Sequence, residues 1–312
     1  ENADYFRAFQ GLRDKFGISV CPVVIPAVEG EKVIGIINLV EKKAYKTDGN
    51  KITEMPVPDA MEAVVEEYTG VLMENVAETS EELMEKYFGG EEFTVDELKA
   101  GIRQGIKELS LVPVFCGCAF TGLGTDELLK GICDYVPNPL EGDMELTEDG
   151  EKIDVAPDGP TCALVFKTVS DQYGKFSFFK VISGKVTADM TLTDANNGSS
   201  EKLGRLYTMK GKKSEEVKEV ICGDIAAVGK MDKIKTGDTV CDAKRVVKLK
   251  GIDFAEPCYS MAISPKTKGQ EDKVAAGLTR LAEEDPTFTV KTDEQTGQTV
   301  ISGMGELHLD II

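Results

Sequence analysis

Apolar and polar residues alternate most regularly between residues 281 and 309, and this stretch predicts a helix followed by a β-hairpin. Pro286 ends the helix, because proline has no N–H to donate and its ring clashes with the preceding helical turn. Beyond it, Phe288 and Val290 alternate with polar residues, which is the period of a strand with one buried face. Turn residues at 293–297 and a β-branched run then predict the returning strand.

Helical and strand periods divide the first 140 residues into segments. Apolar residues at helical spacing predict a helix over residues 3–16. Two capping boxes, Thr79 with Glu82 and Thr94 with Glu97, predict helix starts further along the chain. The predicted order after the first helix is strands at 18–26, 33–40 and 42–47, helices between 59 and 110, a buried strand at 111–116, and a helix over about 126–135 whose inner face carries Leu128, Leu129, Ile132 and Cys133.

The pattern changes after residue 140. Residues 141–160 are acidic and rich in turn formers, so we interpret them as a linker. Over residues 161–250 the period is two, and at least six short strands are separated by Gly, Asp and Asn, as in a closed barrel. A strand at 258–263 and a helix at 270–284 then precede the hairpin, which gives the order βαββ and the start of a second helix. A ferredoxin-like unit needs one more strand.

The composition is that of a soluble globular protein, since 41% of the 312 residues are hydrophobic and 29% are charged. This length predicts two or three domains. No apolar run approaches 18 residues, so we expect no membrane partner. Eight cysteines without a CxxC pair indicate free thiols in a reducing cytoplasm, and the single histidine does not favour a zinc site.

Charge is distributed unevenly within a net charge of −19, which argues against indiscriminate binding to nucleic acid. Residues 51–100 hold 14 acidic and 3 basic side chains, whereas residues 161–250 hold 17 basic and 11 acidic ones. Both segments can be read as ordinary solvated faces. If the chain contacts a phosphate backbone, however, the second segment is where we expect the contact.

Several long runs of the sequence resemble one family in the same order. The runs PKTK, RLAEEDPTF and TGQTVISGMGELHLDII are similar to the third domain of elongation factor G and its relatives, and GKFSFFKVISG and TGDT are similar to the second. These translational GTPases include the tetracycline ribosomal protection proteins and the class-II-type release factors. The runs lie at residues 265–268, 280–288, 296–312, 174–184 and 236–239.

The resemblance implies a multidomain fold that covers nearly the whole chain. Residues 1–140 would be the C-terminal part of an α/β GTPase domain, with an inserted α-helical subdomain at about residues 20–110. After the linker at 141–160, residues 161–250 would form a β-barrel of the translation-factor type. Residues 253–312 would form an incomplete ferredoxin-like α+β domain.

The sequence contains no phosphate-binding loop of the form GxxxxGK[ST]. Gly211-Lys212-Lys213-Ser214 lacks the upstream glycine, and we interpret it as an exposed basic turn. Residues 230–233 imitate the guanine-specifying Asn-Lys-x-Asp motif, but Gly229 stands in place of the asparagine. His308 is interpreted as a surface or capping side chain. We predict no catalytic residue and no metal ligand in this chain.

One nucleotide-binding element is nevertheless implied by the resemblance. In this family a Ser-Ala loop follows the strand equivalent to residues 111–116, and its backbone amides face the guanine carbonyl. Here Gly117, Cys118 and Ala119 take that place. Cysteine in place of serine weakens the side-chain support of the loop, whereas a backbone donor is unaffected. The alternative is a tight strand-to-helix turn that binds no ligand.

The resemblance implies a fragment of an elongation factor G-like protein, which acts on the ribosome in translocation. The run ENADYFRAF resembles the helix after the Asn-Lys-x-Asp segment, so the phosphate loop and switches would lie upstream. The intact protein would bind GTP or GDP with Mg²⁺ and hydrolyse GTP, whereas we expect no nucleotide on this fragment and no activity. We expect a cytoplasmic monomer that contacts ribosomal RNA and proteins through the barrel and the third domain. The alternatives are a tetracycline-type ribosomal protection protein, a ribosome-binding paralogue with little GTPase activity, and an unrelated metabolic α/β enzyme.

Overall fold

The computed structural model describes residues 3–49, 51–142, 145–171, 174–211, 213–229, 231 and 233–312. The chain divides into two compact units, Glu1–Asn138 and Pro139–Ile312. Three residues of the two basic motifs considered above, Lys212, Lys230 and Asp232, lie outside the described residues.

The first unit combines five helices, a short 3-10 turn and six strands. In chain order they are α1 (Tyr5–Phe16), β1 (Val20–Pro22), β2 (Val24–Glu29), β3 (Lys32–Asn38), β4 (Lys43–Asp48), β5 (Lys51–Met55), the 3-10 turn Asp59–Met61, α2 (Glu62–Ala77), α3 (Glu81–Phe88), α4 (Val95–Lys107), β6 (Val112–Val114) and α5 (Thr125–Tyr135).

Two sheets organise this unit. Strands β2 to β5 form an antiparallel four-stranded sheet in chain order, and helices α2 to α4 follow it, so the segment between β1 and β6 contains strands as well as helices. Strand β1 pairs in parallel with β6, with Val20 opposite Val112. The core joins both parts of the unit, since Cys21, Ile37, Leu72 and Ile102 belong to one buried cluster.

Two faces that the sequence predicts to be buried are exposed. Val112 in β6 is 52% exposed, because β6 pairs with β1 and no other described strand lies on its second edge. On α5, Leu128, Leu129 and Ile132 are exposed and the helix instead buries Gly131 and Tyr135. The periodicity identified an apolar face correctly, but a face is buried only where another element covers it.

The capping box of α4 is present and carries a charged hydrogen bond. The Thr94 N–H donates to Glu97 Oε2 over 2.7 Å, and the Lys86 ammonium lies 2.7 Å from Glu97 Oε1. The pKa of Glu97 is lowered from 4.5 to about 2, mainly by the hydrogen bond from Lys86 and further by those from Thr94. Glu97 therefore stabilises the fold most above pH 4.5, and this contribution is lost as the pH falls towards 2.

We expect Glu97→Gln to separate this charge effect from the hydrogen bonding, since glutamine can still complete a capping box. At pH 6 the variant should melt at a lower temperature than the wild type. The difference should shrink as the pH approaches 2, where Glu97 itself becomes neutral. Thermal melts followed by circular dichroism between pH 6 and pH 2 measure it, and a difference that does not change with pH would contradict the account.

The second unit begins with a large antiparallel β structure. Its strands are β7 (Glu145–Leu146), β8 (Lys152–Ile153), β9 (Cys162–Asp171), β10 (Gly174–Ser183), β11 (Lys185–Thr187), β12 (Thr191–Asp194), β13 (Ser200–Lys202), β14 (Leu206–Lys210), β15 (Lys213–Val217), β16 (Glu219–Ile221), β17 (Ile225–Gly229) and β18 (Thr239–Cys241).

Eight of these strands form one sheet in the order β13-β12-β18-β9-β10-β17-β14-β15, and β11 pairs separately with β16. Apolar residues from most of the sheet, among them Val165, Val181, Leu206 and Val228, share one buried core. In the described part of the chain β13 and β15 do not pair with each other, so the barrel is partly open.

Part of the predicted linker is structured. Strands β7 and β8 pair antiparallel, and Ile153 in β8 is 5% exposed because it packs with Ile182 and Leu249 against the barrel. The acidic and turn-rich composition of this segment did not predict this short pair of strands, which the buried side chain of Ile153 anchors.

The remaining elements form a small α+β domain: β19 (Tyr259–Ile263), α6 (Glu271–Glu284), β20 (Thr289–Thr292), β21 (Thr299–Gly303) and α7 (Glu306–Ile311). The strands pair antiparallel in the order β19-β21-β20 around Phe288, Ile301 and Leu309. The predicted order βαββ, with the start of a second helix, is confirmed.

Candidate functional site

The predicted site residues form an exposed loop between β6 and α5. The Cys118 N–H donates to the Leu123 carbonyl oxygen over 2.8 Å, and these two residues form an isolated antiparallel bridge. Gly117, Cys118 and Ala119, which are consecutive in the chain, are all exposed.

Two glycines allow the loop to close. A Cβ on Gly117 would lie 2.7 Å from the Leu123 carbonyl oxygen, and a Cβ on Gly124 would lie 2.4 Å from the Cys116 carbonyl oxygen. Gly124 also has a φ of +78°, which side chains rarely adopt. Leu123 and Gly124 therefore shape the loop, although we did not predict a role for either. The Gly-x-Gly spacing of Gly122 and Gly124 was the available signal.

Neighbouring groups of the loop affect the ionisation of the exposed Cys118 thiol. Hydrogen bonds from the Thr121 side chain and from the N–H groups of Thr121 and Phe120 hold the pKa of the Cys118 thiol below its ordinary value. The Thr121 hydroxyl also donates to the Cys118 carbonyl oxygen over 3.5 Å, so Thr121 contacts Cys118 within the turn.

The loop leaves some backbone donors available, among them the Ala119 N–H. The Cys118 N–H is used inside the loop, whereas the Ala119 N–H has no hydrogen-bond partner in the part of the chain that the structure describes. Next to it, the Phe120 side chain is 99% exposed. An outward backbone N–H beside an aromatic ring can hydrogen-bond a carbonyl oxygen of a planar ligand.

An ionic network fixes α5, and with it the end of the loop. The Glu41 carboxylate lies 2.6 Å from the Lys130 ammonium and 3.7 Å from that of Lys99, and Lys99 lies 2.8 Å from Asp134. Burial raises the pKa of Glu41, but the hydrogen bond and charge of Lys130 outweigh it and leave that pKa below its ordinary value. The network therefore joins the turn after β3 to α4 and α5.

The other sequence motifs lie elsewhere. Gly211 has a φ of +60° in the exposed hairpin turn between β14 and β15, and Gly229 ends β17 within the barrel. Among the described residues, no group of three His, Cys, Asp or Glu side chains is arranged to hold a metal ion. The same part of the chain contains no helix with the length and apolar character to span a bilayer.

His308 holds the small domain together. Its Nδ1 accepts the Met304 N–H over 3.0 Å, so the ring proton lies on Nε2, which donates to Asp285 Oδ2 over 2.9 Å. Burial raises the pKa of Asp285, but hydrogen bonds from Thr287 and His308 outweigh it and leave that pKa below its ordinary value. His308 thus caps the chain before α7 and ties it to the end of α6.

We expect His308→Ala to destabilise the chain by about 1–3 kcal/mol, because it leaves the Met304 N–H and the Asp285 carboxylate without this partner. Leu307→Ala is the matched control, since Leu307 is 74% exposed and its loss should change stability little. Urea unfolding of both variants measures the difference, and equal midpoints would show that the histidine contributes nothing.

Comparison with known proteins agrees with this architecture. Residues 160–243 match the family model described as elongation factor G domain 2, and residues 254–312 match that of elongation factor G, domain III. The whole chain is also similar to the crystal structure of ttk003000868 from Thermus thermophilus, with 27% identity and a TM-score of 0.80. That match covers 99% of this chain and 45% of the other, so this chain spans less than half of the matched chain's length. The chain is thus elongation factor G-like, with the second and third domains of that family at residues 160–243 and 254–312.

Proposed function

We propose that the protein containing this chain is a GTPase that acts on the ribosome in the translocation step of elongation. The observation that carries the proposal is the order of parts: an α/β unit with an open sheet edge precedes a barrel and an α+β domain of the elongation factor G type. In this account the exposed edge at Val112 and the exposed face of α5 are covered by the rest of the GTPase domain.

The role that we assign to this chain is recognition of the guanine base. The Ala119 N–H would donate to the guanine carbonyl oxygen, Gly117 lets the backbone approach closely, and Cys118 holds the turn in place. Because a backbone donor is fixed before the ligand arrives, the contact costs little reorganisation.

The described residues do not fit a Mg²⁺ site, since they offer no suitable group of carboxylates. The metal ion and the phosphates would be held by other parts of the intact protein, where Mg²⁺ supplies charge neutralisation for phosphoryl transfer. We therefore assign no catalytic step to this chain.

The basic barrel and the α+β domain are the surfaces that we propose for contact with ribosomal RNA and proteins. Of the charged side chains on residues 161–250, 17 are basic and 11 are acidic, within a chain that is otherwise strongly acidic. Such a local excess of positive charge suits a phosphate backbone. We propose that the protein acts as a monomer in the cytoplasm.

Nucleotide titration tests the base-recognition role. We expect the isolated 312-residue chain to show negligible binding of GTP by calorimetry, because the phosphate-binding parts are missing. In the full-length protein, Ala119→Pro removes the N–H and should weaken GDP binding about tenfold, the value of one hydrogen bond. Ala119→Gly keeps the N–H and is the control.

Three results would count against the proposal. They are micromolar GTP binding by the isolated chain, unchanged GDP affinity in Ala119→Pro, and an equal loss of affinity in both Ala119 variants. If the full-length protein rescues translation from tetracycline, its function is ribosomal protection and not translocation. One that binds ribosomes without hydrolysing GTP would indicate the binding paralogue instead.

A further inference from the structure

Two buried cysteines lie opposite each other on neighbouring strands of the barrel. Cys162 begins β9 and Cys241 ends β18, and the register of the two antiparallel strands places them directly opposite. Their side chains are 4% and 0% exposed and belong to one small apolar cluster. Within the described strand registers no other cysteine lies opposite a cysteine.

The backbone hydrogen bonds show which kind of pair this is. The Asp242 N–H donates to the Thr161 carbonyl oxygen over 3.0 Å, on the far side of the cysteine pair. Hydrogen-bonded and non-hydrogen-bonded pairs alternate along an antiparallel ladder, so Cys162 and Cys241 form a non-hydrogen-bonded pair. In such pairs the Cα atoms lie about 4.5 Å apart and the side chains are closest, which is within the range that a disulfide spans.

The two thiols affect each other's ionisation. A hydrogen bond from the Cys162 thiol lowers the pKa of Cys241 to about 7 against the opposing effect of burial, and the positive charge of Arg245 acts in the same direction. The same contact and burial raise the pKa of Cys162. When protonated, the Cys241 thiol donates to the Val247 carbonyl oxygen over 3.1 Å. Cys241 is therefore the thiol that ionises first.

A narrow cleft lies beside this pair: it is lined by Cys162 and by Val247, whose carbonyl oxygen accepts from Cys241. The cleft is also lined by Pro160, Thr161, Ser183 and Arg245. The space is small, so it suits a reagent of the size of water or hydrogen peroxide rather than a bulky disulfide.

We propose that Cys162 and Cys241 form an oxidation site, at which a peroxide converts the two thiols into a disulfide between the first and last strands, in chain order, of the eight-stranded sheet. The Cys241 thiolate attacks one peroxide oxygen, the O–O bond breaks, and a sulfenic acid forms as hydroxide leaves. That hydroxide takes the Cys162 proton. The Cys162 sulfur then attacks the Cys241 sulfur, the S–S bond forms, and the S–O bond breaks. The hydroxide that leaves becomes water by taking the proton that Cys241 released when it ionised. Two thiols lose two electrons, and the peroxide is reduced to two waters.

The consequence is a covalent link across a loop of about 80 residues. Such a link restricts the unfolded chain and stabilises the fold that it joins. Oxidation should therefore raise the thermal midpoint of the barrel by about 5–10 °C, and a reducing agent should reverse the change.

Mass spectrometry of the native 312-residue chain tests the proposal. The chain is treated with hydrogen peroxide in native buffer, alkylated and digested. We expect a linked peptide that joins Cys162 to Cys241, the loss of two of the eight alkylatable thiols, and the reversible rise in melting temperature. Cys133→Ala, at an exposed cysteine, is the control that should keep all three results.

Cys162→Ala and Cys241→Ala should each abolish the linked peptide and the rise in melting temperature. If either variant fails to fold, the linked peptide and the melting temperature of the wild-type chain still test the proposal. The proposal is overturned if native peroxide treatment yields no Cys162–Cys241 peptide, or if that peptide forms only after denaturation. A linked peptide that joins other cysteines instead would also overturn the proposal.

Discussion

Gly124→Ala should destabilise the first unit by about 3–5 kcal/mol, since two costs combine at this position. A side chain at a φ of +78° costs about 1–2 kcal/mol. The added Cβ would also lie 2.4 Å from the Cys116 carbonyl oxygen and 3.0 Å from the Gly117 Cα, so the backbone of the candidate loop must move. Urea unfolding followed by fluorescence or circular dichroism measures the loss.

Gly122→Ala is a matched control within the same loop. Gly122 has a φ of +75°, but a Cβ there would meet nothing within 4 Å. Only the conformational cost of about 1–2 kcal/mol should remain. Equal effects of the two substitutions would show that close packing of Gly124 against Cys116 does not hold the loop.

Gly184→Ala should have an effect of similar size on the second unit, about 3–5 kcal/mol. Gly184 has a φ of +67°, and a Cβ would lie 2.4 Å from the Gly159 carbonyl oxygen and 2.9 Å from the Thr161 nitrogen. The Gly184 N–H also donates to the Ala156 carbonyl oxygen over 2.8 Å. The substitution should therefore push the segment before β9 away from Gly184 and break these contacts with the barrel. Urea unfolding of the chain measures this loss as well.

Gly198→Ala controls for the backbone conformation, because Gly198 has a φ of +74° and open space around its Cα. We expect it to cost only about 1–2 kcal/mol. If Gly184→Ala is no more damaging than Gly198→Ala, the close packing of Gly184 against Gly159 and Thr161 does not hold the segment before β9 in place.

Local chemistry made the last domain the most predictable part of the sequence. Pro286 and the turn at residues 293–297 set the ends of α6, β20 and β21, and the alternation of Phe288 with polar neighbours identified the buried face. Each of these signals acts within a few residues. The structure therefore agrees with the pattern almost residue by residue.

Burial that depends on distant residues was less predictable. The apolar face of α5 at Leu128 and Leu129 has a helical period, but periodicity does not show which element covers it. The reverse error occurred at Ile153, where a single buried side chain in an acidic segment left no periodic signal. Both errors arise because burial is a property of the pair of surfaces and not of one segment.

The candidate loop was located from its resemblance to the family, whereas its detailed roles needed the structure. The sequence did not indicate that the Leu123 carbonyl oxygen accepts the Cys118 N–H. With the Cys118 N–H occupied by this bridge, the Ala119 N–H is one of the loop donors that remain available. That Ala119 binds a guanine base stays a prediction.

Ribosome-dependent hydrolysis of GTP by the full-length protein tests the central claim most directly. Phosphate release is measured for the full-length protein and for the 312-residue chain, each with and without ribosomes. We expect ribosomes to accelerate hydrolysis by the full-length protein at least about tenfold, since charges and positioning groups supplied in trans can raise such rates by about 10³–10⁵. The isolated chain should release no phosphate. A full-length protein whose phosphate release is unaffected by ribosomes would contradict the account.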